Sequence, residues 1–337
     1  MPYTGRPLTV LVDSRMAVRG LGIATFAHRL TDELAALPDL RVRRWQASGP
    51  WGARAQWATL GCSGLFDLSP RLDPRTRRFD VVHHLSNIGS LLPGDASVVT
   101  VHDLLYRRSR RVRHRLSGWL LEQSLSRAGR VVAVSGRTAA ALVSSWPSLR
   151  GRVEIIPHGM RTLAVLPEPR THVLAFGGAS DPRKRVDLMV AGYRRYHQLV
   201  PDPVPLVVLA RAGLTVEQRA ALAALGARLV DQATSSEVDE LFARAAAVLY
   251  TSRVEGFGLP ILEAAEAATP VVMQRGAEVA DEVMGRHCVL VDGAEPADWA
   301  VAIGQAVDGG PVSGALDLPD WASVATRYAD LYRAVAP

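Results

Sequence analysis

The stretch from Ala247 to Glu266 reads Ala-Val-Leu-Tyr-Thr-Ser-Arg-Val-Glu-Gly-Phe-Gly-Leu-Pro-Ile-Leu-Glu-Ala-Ala-Glu. It begins with a short apolar run, which is typical of a strand buried on both faces of a sheet. Two glycines follow, and Pro260 is well placed as the first residue of a helix. The stretch therefore predicts a strand, a loop and a helix, and the amides at the start of that helix are suited to an anion.

The same alternation of apolar runs and helical patterns recurs along the chain, which predicts parallel sheets covered by helices. The strands predicted in the first half are Leu8–Val12, Val81–His84, Val98–Val101, Val131–Val134 and Val153–Ile156. Those predicted in the second half are His172–Phe176, Pro205–Leu209, Arg228–Val230, Ala247–Tyr250, Pro270–Met273 and Cys288–Val291. Helical spacing of apolar residues covers Ile23–Leu37, Trp119–Leu125, Thr138–Val143 and Trp321–Val335, the last beginning after a capping residue, Asp320.

The length of the chain and one polar connector indicate two domains. A chain of 337 residues exceeds one ordinary core, and the alternation restarts after residues 166–170, Leu-Pro-Glu-Pro-Arg. We expect an α/β protein with two doubly wound, Rossmann-like domains that face an interdomain cleft. The expected boundaries are 1–165 for the N-terminal domain, 171–318 for the C-terminal domain and 319–337 for a C-terminal helix.

Composition excludes several classes of protein. No run of 18 apolar residues occurs, and the first ten residues have no basic start followed by an apolar stretch, so we expect neither a spanning helix nor a signal peptide. The two cysteines, Cys62 and Cys288, are far apart, which disfavours a disulfide framework or a zinc site. We therefore expect a cytoplasmic protein without a metal, and leave open a peripheral association with the inner face of the cell membrane.

Charge is distributed unevenly along the chain. The net charge is +6, but residues 1–165 carry 24 Arg against 11 acidic residues (+13), and the remainder carries 15 basic and 22 acidic residues (−7). The densest basic segment runs from Arg107 to Arg115. It is either a solvated surface or a surface for an anionic acceptor, lipid phosphates or nucleic acid. Lys184 is the only lysine among 39 basic residues.

Three loops after predicted strands are candidates for ligand binding. The first contains Gly20 and Gly22 before a helix, but Thr25 stands where a dinucleotide fingerprint needs a third glycine, which disfavours a nicotinamide dehydrogenase. The second runs from Gly177-Gly178 to Arg183-Lys184 at a helix start, where cations oppose the helix dipole unless an anion is bound. The third is the loop of the opening stretch, in which Glu263 is expected near the third helical position and Glu255 lies in the loop.

The segment Glu255-Gly-Phe-Gly-Leu-Pro-Ile-Leu-Glu263, two glutamates with seven residues between them, resembles the signature of the retaining glycosyltransferases of the family-four group, which have the GT-B fold. The resemblance covers nearly the whole chain. Its other segments are Asp13-Ser-Arg with Gly20-Leu-Gly22, Val82-His-His84, Val99-Thr-Val-His102-Asp103-Leu, Val132-Ala-Val-Ser135, Ile155-Ile-Pro-His-Gly159, Pro182-Arg-Lys184 and Thr269-Pro-Val-Val. The segments at Asp13 and at Val101-His-Asp-Leu104 resemble those of mannosyl- or rhamnosyltransferases.

This resemblance implies roles for the matching residues. His102, beside the anomeric carbon, and Glu255, on the donor sugar, are the expected catalytic residues. The donor nucleoside diphosphate sugar would be bound by Gly20, Gly22, Gly178, Arg183, Lys184, Arg253, Phe257, Gly258, Leu259 and Glu263, the last on the ribose hydroxyls. Many relatives have an arginine where this chain has Ala179, so Arg253 or Arg19 would supply that phosphate contact. The C-terminal helix would cross back onto the N-terminal domain.

The implied reaction is transfer of a hexose or deoxyhexose from a nucleoside diphosphate sugar, such as GDP-mannose or a UDP- or dTDP-hexose, to an acceptor hydroxyl with retention of anomeric configuration. Preorganised amides and cations would stabilise the departing diphosphate, so neither a metal nor a cofactor is expected. Whether Glu255 is a nucleophile or orients the sugar stays open. The alternatives are a GT-B phosphorylase, a nucleotide-sugar epimerase, or a non-catalytic binder of nucleotide sugar or nucleic acid. We expect an anionic or lipid-linked acceptor and no nucleic acid.

Overall fold

The computed structural model describes residues 6–14, 22–45, 79–85, 87, 94–104, 112–161, 170–178, 182–210, 213–253, 257–276, 288–312 and 318–337. The chain divides into two compact units: Met1–Gly159 with Leu318–Pro337, and Met160–Asp317. The last helix therefore belongs to the first unit, although 158 residues of the second unit separate it from the rest in sequence. Residues 166–169 of the predicted connector lie outside the described residues.

The first unit is built on a parallel sheet. Its strands are β1 (Leu8–Asp13), β2 (Leu40–Trp45), β3 (Val81–His84), β4 (Gly94–Val101), β5 (Ala128–Ala133) and β6 (Val153–Ile155), in the spatial order β2-β1-β3-β4-β5-β6. Its helices are α1 (Gly22–Ala36), α2 (Val112–Arg127), α3 (Gly136–Ser145) and α9 (Trp321–Val335). The described strand pairs are all parallel, so the strands end at one common edge.

Helices cover both faces of this sheet. On one face, Phe26 of α1 and Tyr328 of α9 share a buried cluster with Val10 of β1. On the other face, Leu121 of α2 and Leu142 of α3 are in a second cluster with strands β4 and β5. Burial on both faces explains why the strands read as continuous apolar runs.

A buried hydrogen-bond chain joins α9 to the middle of the sheet. One ring nitrogen of His83 lies 2.6 Å from the hydroxyl of Tyr332, and the other lies 2.8 Å from the hydroxyl of Thr100. Thr100 in turn lies 3.1 Å from the hydroxyl of Tyr328. The helix is thus held by specific polar contacts as well as by apolar burial, and its Asp320 cap, which accepts from the amide of Ser323, is confirmed.

The second unit is also built on a parallel sheet. Its strands are β7 (His172–Phe176), β8 (Leu206–Leu209), β9 (Arg228–Val230), β10 (Ala245–Tyr250), β11 (Val271–Gln274) and β12 (Cys288–Val291), in the order β12-β11-β10-β7-β8-β9. Its helices are α4 (Val186–Leu199), α5 (Val216–Ala223), α6 (Ser235–Ala243), α7 (Leu259–Glu266) and α8 (Pro296–Gly309). The close approach of α4 to α8 requires Gly192, because a Cβ atom there would lie 2.8 Å from the Cβ of Trp299.

The predicted architecture is confirmed: the chain is an α/β protein with two doubly wound parallel sheets. The strands Val81–His84, His172–Phe176, Arg228–Val230 and Cys288–Val291 and the helix Trp321–Val335 have the predicted bounds. Strand β2 was not predicted. Helix α2 begins at Val112, seven residues before the predicted start, because its first turns are basic and carry no apolar periodicity.

Candidate active site

Two loops of the second unit are hydrogen-bonded to each other at the edge where the strands end. They follow β7 and β10, which are neighbours in the sheet. The hydroxyl of Thr251 donates to the carbonyl of Lys184 (2.7 Å), and Nε of Arg185 donates to the carbonyl of Thr251 (2.8 Å). The amide of Arg253 donates to the carbonyl of Arg183 (3.2 Å). These bonds bring Arg183, Lys184 and Arg253 to one place in the fold.

Lys184 and Arg185 are half-buried in these loops, whereas Arg253 is exposed. Nζ of Lys184 lies 5.4 Å from the centre of the Tyr250 ring, within reach of a cation–π interaction. Burial lowers the pKa of Arg185, and the neighbouring charge of Arg253 lowers it further. A cavity of about 440 Å³ lies beside Arg185, and its lining also includes Gly178 and the acidic residue Asp187. Arg185 and Arg253 therefore repel each other, and an anion bound beside Arg185 would reduce that repulsion.

Helix α7 begins beside the second of these loops. Its cap residue, Gly258, has φ of 76°, a left-handed conformation that glycine adopts without strain. No side chain among the described residues caps this helix end, and Pro260, which has no amide hydrogen, is its second residue. Phe257 is buried directly before the cap. The amide of Ile261 donates to the carbonyl of Gly258 (2.8 Å), which leaves the amide of Leu259 as the first-turn amide suited to an anion.

Glu263 occupies a different helical position from the one predicted. It was expected near the third residue of α7, but the helix begins at Leu259, so Glu263 is the fifth residue and lies in the second turn. The prediction placed the helix start too late because it took Pro260 as the first residue. The first turn contains no acidic residue. Glu263 is half-buried and cannot be explained as a helix cap.

The other glutamate of α7 has a structural role that the sequence did not reveal. Glu266 is buried and accepts from the amide (2.8 Å) and Nε (3.1 Å) of Arg161. Arg161 also donates two hydrogen bonds to Asp239 of α6, of 2.7 and 3.0 Å. Burial lowers the pKa of Arg161, but the interactions with Asp239 and Glu266 have the larger combined effect. The pKa of Arg161 is therefore raised above its ordinary value. This ion-pair network fixes α7 to α6 from the side away from its first turn.

His102 lies in the first unit, directly after β4. Its side chain is 7% exposed, and Nε2 lies 2.9 Å from the carbonyl of Leu85. The ring packs edge-on against Phe26 at 4.9 Å, and Oδ1 of Asn87 accepts from the backbone amide of His102 at 2.7 Å. Burial lowers the pKa of His102 to about 4, so the ring is neutral at pH 7. No motif in the sequence indicated that Asn87 holds this loop.

Asp13 and His84 form a polar pair at the edge of the first unit's sheet where its strands end. They are the last residues of β1 and β3, which are adjacent, and Nδ1 of His84 lies 2.9 Å from Oδ2 of Asp13. Both side chains are buried. Both residues belong to segments that resemble the glycosyltransferase family, but the resemblance implies no role for either of them.

Gly20, Glu255 and the alternative phosphate contact Arg19 lie outside the described part of the chain. Gly22 is the first residue of α1. The other described donor residues, Gly178, Arg183, Lys184, Arg253, Phe257, Gly258, Leu259 and Glu263, all belong to the second unit. His102 belongs to the first unit.

The described residues contain neither a candidate metal site nor a candidate membrane-spanning helix. No group of three or more His, Cys, Asp or Glu side chains there is arranged to hold a metal ion. No helix in the described ranges combines the length and the apolar composition needed to cross a bilayer.

Comparisons with known proteins agree with the architecture. Residues 20–162 match the family described as Glycosyltransferase Family 4, and residues 170–308 match the one described as Glycosyl transferases group 1. The chain is 29% identical over 250 residues to a D-inositol 3-phosphate glycosyltransferase of Streptosporangium roseum, covering 63% of this chain and 56% of that protein. It is 42% identical over 64 residues to the serotype-specific mannosyltransferase WbdA of Escherichia coli, covering 19% of this chain and 8% of that protein.

A solved structure of sucrose-phosphate synthase from Thermosynechococcus elongatus has the same fold. It aligns with a TM-score of 0.65 at 17% identity, over 97% of this chain and 99% of that one. The chain spans about half the length of the first curated relatives it matches. Two family matches that together run from residue 20 to residue 308, and two sheets with the order described above, lead to one conclusion. The chain belongs to the family-four group of glycosyltransferases and has the GT-B fold.

Proposed function

We propose that the protein transfers a hexose or deoxyhexose from a nucleoside diphosphate sugar to an acceptor hydroxyl, with retention of anomeric configuration and without a metal. The observation that carries the proposal is the pair of hydrogen-bonded loops of the second unit, because they bring Arg183, Lys184 and Arg253 together. Family membership supports the transferase class.

The chemistry follows from where charge develops. Breaking the bond between the sugar and the diphosphate places negative charge on the departing oxygens, and fixed cations and amides stabilise that charge best. Lys184, Arg183 and the amide of Leu259 at the start of α7 would serve this purpose. Glu263, half-buried in the second turn of the same helix, would accept hydrogen bonds from the ribose hydroxyls. Glu255 and His102 would contact the donor sugar, His102 as a neutral ring.

The donor sugar that we propose is mannose or a related deoxyhexose. The local match to a mannosyltransferase supports this choice. GDP-mannose is therefore the first donor to test, with UDP- and dTDP-hexoses as the others.

We propose an anionic acceptor, either a phosphorylated polyol or a lipid-linked phosphate at a membrane surface. The support is the charge of +13 on residues 1–165 and the name of the relatives, which act on D-inositol 3-phosphate. Trp119, 53% exposed on the basic helix α2, is suited to the interface of a membrane. On this proposal the protein works at the inner face of the cell membrane.

The test begins with unfolding temperatures in the presence of GDP, UDP, dTDP and the matching nucleosides. A ligand at 100 times its Kd adds about 2.7 kcal/mol of apparent stability. The nucleotide that binds is then supplied as its sugar conjugate, in EDTA, with D-inositol 3-phosphate or an anionic lipid acceptor. We expect transfer with an unchanged anomeric configuration by NMR. An inverted product contradicts retention, and sugar phosphate formed only with inorganic phosphate indicates a phosphorylase.

A further inference from the structure

The pair formed by Asp13 and His84 has the geometry of a polar group prepared for a ligand. Strands β1 and β3 are parallel neighbours, and their register pairs Asp13 directly with His84. The exposed fractions are 6% for Asp13 and 0% for His84, and the distance from Nδ1 to Oδ2 is 2.9 Å. The pair ends two adjacent strands at the edge where parallel α/β sheets bind ligands.

The contact with Asp13 fixes the hydrogen on the ring of His84. The carboxylate accepts from Nδ1, so in the neutral ring Nε2 carries a lone pair and is a hydrogen-bond acceptor. Nε2 of His84 is buried, and no hydrogen-bond partner for it exists among the described residues. A buried acceptor without a partner destabilises the fold, and its presence calls for an explanation such as a ligand.

Two neighbouring histidines differ from His84 in this respect. His83 uses both ring nitrogens, one toward Tyr332 and one toward Thr100, and so has a structural role. Nε2 of His102 is engaged with the carbonyl of Leu85. Of these three rings, His84 is the one whose Nε2 lacks such a contact in the described part of the chain.

The chemistry of the pair selects a hydroxyl as its ligand. The negative charge of Asp13 disfavours an anion beside it, and a ring nitrogen with a lone pair needs a donor. The basic residues suited to a diphosphate belong to the second unit, whereas Asp13 and His84 belong to the first. A hydroxyl bound in the first unit therefore serves the other substrate, the acceptor.

We propose that Nε2 of His84 accepts a hydrogen bond from a hydroxyl of the acceptor, and that Asp13 is the positioning residue that keeps Nε2 in the accepting form. The proposal rests on the proposed function, since it requires an acceptor. It involves one hydrogen bond only, and no covalent bond is made or broken at His84. His84 thus determines which acceptors are orientated for transfer.

The first test is independent of turnover. The full chain is labelled with ¹⁵N in its histidine rings, and the His84 signals are assigned by their loss in His84→Gln. In the free protein we expect Nε2 of His84 to be unprotonated, and to shift when D-inositol 3-phosphate is added as the probe. A protonated Nε2, or no shift with this probe, overturns the proposal. A shift without any sugar transfer overturns the proposed function instead.

The second test separates acceptors kinetically. Sugar transfer from one donor is measured to D-inositol 3-phosphate and, as hydrolysis, to water. His84→Leu removes the acceptor atom, and Asp13→Asn presents an amide that donates to Nδ1 and reverses the tautomer. We expect each to lower kcat/KM for the polyol phosphate by about tenfold or more while hydrolysis stays within about twofold.

His83→Gln is the matched control. It removes a buried histidine that touches α9, so it should lower the unfolding temperature and leave the ratio of transfer to hydrolysis unchanged. If His84→Leu behaves like His83→Gln, or if it lowers transfer and hydrolysis equally, His84 is merely structural and the proposal is overturned. His84→Gln, whose amide oxygen can accept a hydrogen bond, should retain more transfer than His84→Leu.

Discussion

The hydroxyl of Thr251 donates a 2.7 Å hydrogen bond to the backbone carbonyl of Lys184, 67 residues earlier in the chain. The bond joins the first residue after β10 to the short 3₁₀ turn Pro182–Lys184 after β7. It holds the backbone from which the only lysine of the protein extends. The orientation of that lysine therefore depends on a residue that carries no charge.

Thr251→Val tests this relationship. Valine has nearly the same shape but cannot donate, so the Lys184 carbonyl loses its partner, at a cost of about 1–3 kcal/mol of unfolding free energy. We expect weaker binding of nucleoside diphosphate as well, because the loop carrying Lys184 is less well held. Urea unfolding and calorimetric titration measure the two effects. Thr326→Val, at an exposed hydroxyl that bonds within its own helix, is the control and should change neither.

Lys184→Ala should weaken binding of the nucleoside diphosphate by roughly 1.5–3 kcal/mol, the range for a hydrogen bond to a charged group. Binding of the matching nucleoside should be nearly unchanged, because it has no phosphate. Arg194→Ala, on the exposed side of α4, is the control for loss of one positive charge. An equal loss for nucleoside and diphosphate would contradict a phosphate contact by Lys184.

Replacing each of the two glutamates of α7 with alanine should affect different properties, donor binding for Glu263 and stability for Glu266. Glu263→Ala should raise the KM for the donor and lower the unfolding free energy less than Glu266→Ala does, because Glu263 is half-buried whereas Glu266 is buried. Glu266→Ala leaves Arg161 without one of its two partners and should lower the unfolding free energy by about 2–3 kcal/mol. Steady-state kinetics and urea unfolding of both variants check this. Destabilisation by Glu263→Ala equal to that of Glu266→Ala would show that Glu263 is also structural.

Stability should fall in mild acid because the first unit buries neutral histidines. Burial lowers the pKa of His102 to about 4, and burial together with nearby charges lowers the pKa values of His83 and His158 well below the ordinary range. The unfolded rings bind protons near pH 6.5. The unfolded state therefore gains protons first, and the stability present above pH 6.5 is lost as the pH falls toward 4.

Urea unfolding between pH 7.5 and 4 measures this loss. His102 alone accounts for about 3 kcal/mol, from the difference between its two pKa values. Replacing His197, which is exposed on α4, with Gln should leave the profile unchanged. A flat profile through this range would contradict neutral burial of the three rings.

The basic segment before α2 should control the acceptor step. Replacing Arg107, Arg108, Arg110 and Arg111 with Gln should lower kcat/KM for an anionic acceptor and reduce its salt sensitivity, with donor binding intact. Near an anionic membrane each surface arginine contributes about 1 kcal/mol. The readout is transfer on anionic vesicles at rising salt, up to about 0.5 M, where the Debye length is roughly 4 Å. If the substitutions leave the activity unchanged, and the activity does not depend on salt concentration, these arginines are a solvated surface.

The sequence was sufficient to predict the architecture because strands buried on both faces of a sheet appear as short continuous apolar runs. The exception, β2, reads Leu-Arg-Val-Arg-Arg-Trp and lies at the edge of its sheet, where arginines can remain in water. The alternation of apolar and polar residues in β2 is interrupted by Arg43 and Arg44, so the segment contains no apolar run from which a strand could be predicted.

The sequence was less informative about the site, where contacts join distant parts of the chain. The motifs indicated Lys184 and Glu263 as site residues. No motif indicated Thr251, because nothing in the sequence distinguishes it from other polar residues that follow a strand. The pairing of Asp13 with His84 depends on the register of β1 against β3, and the two residues are 71 positions apart along the chain. The predicted position of Glu263 was about two residues too early in the helix, because the residue at which α7 begins is difficult to predict from sequence.

The hydrogen bond between His83 and Tyr332 spans 249 positions of the chain and constrains when the first unit can finish folding. On a ribosome the six strands of that unit emerge first, yet one face of their sheet lacks Trp321, Tyr328 and Tyr332 until α9 has been synthesised. At about 5–20 residues per second this interval lasts roughly ten seconds or more. During this interval the second unit can complete its own hydrophobic core. The second unit can therefore finish folding before the first unit, although most of the first unit precedes it in the sequence.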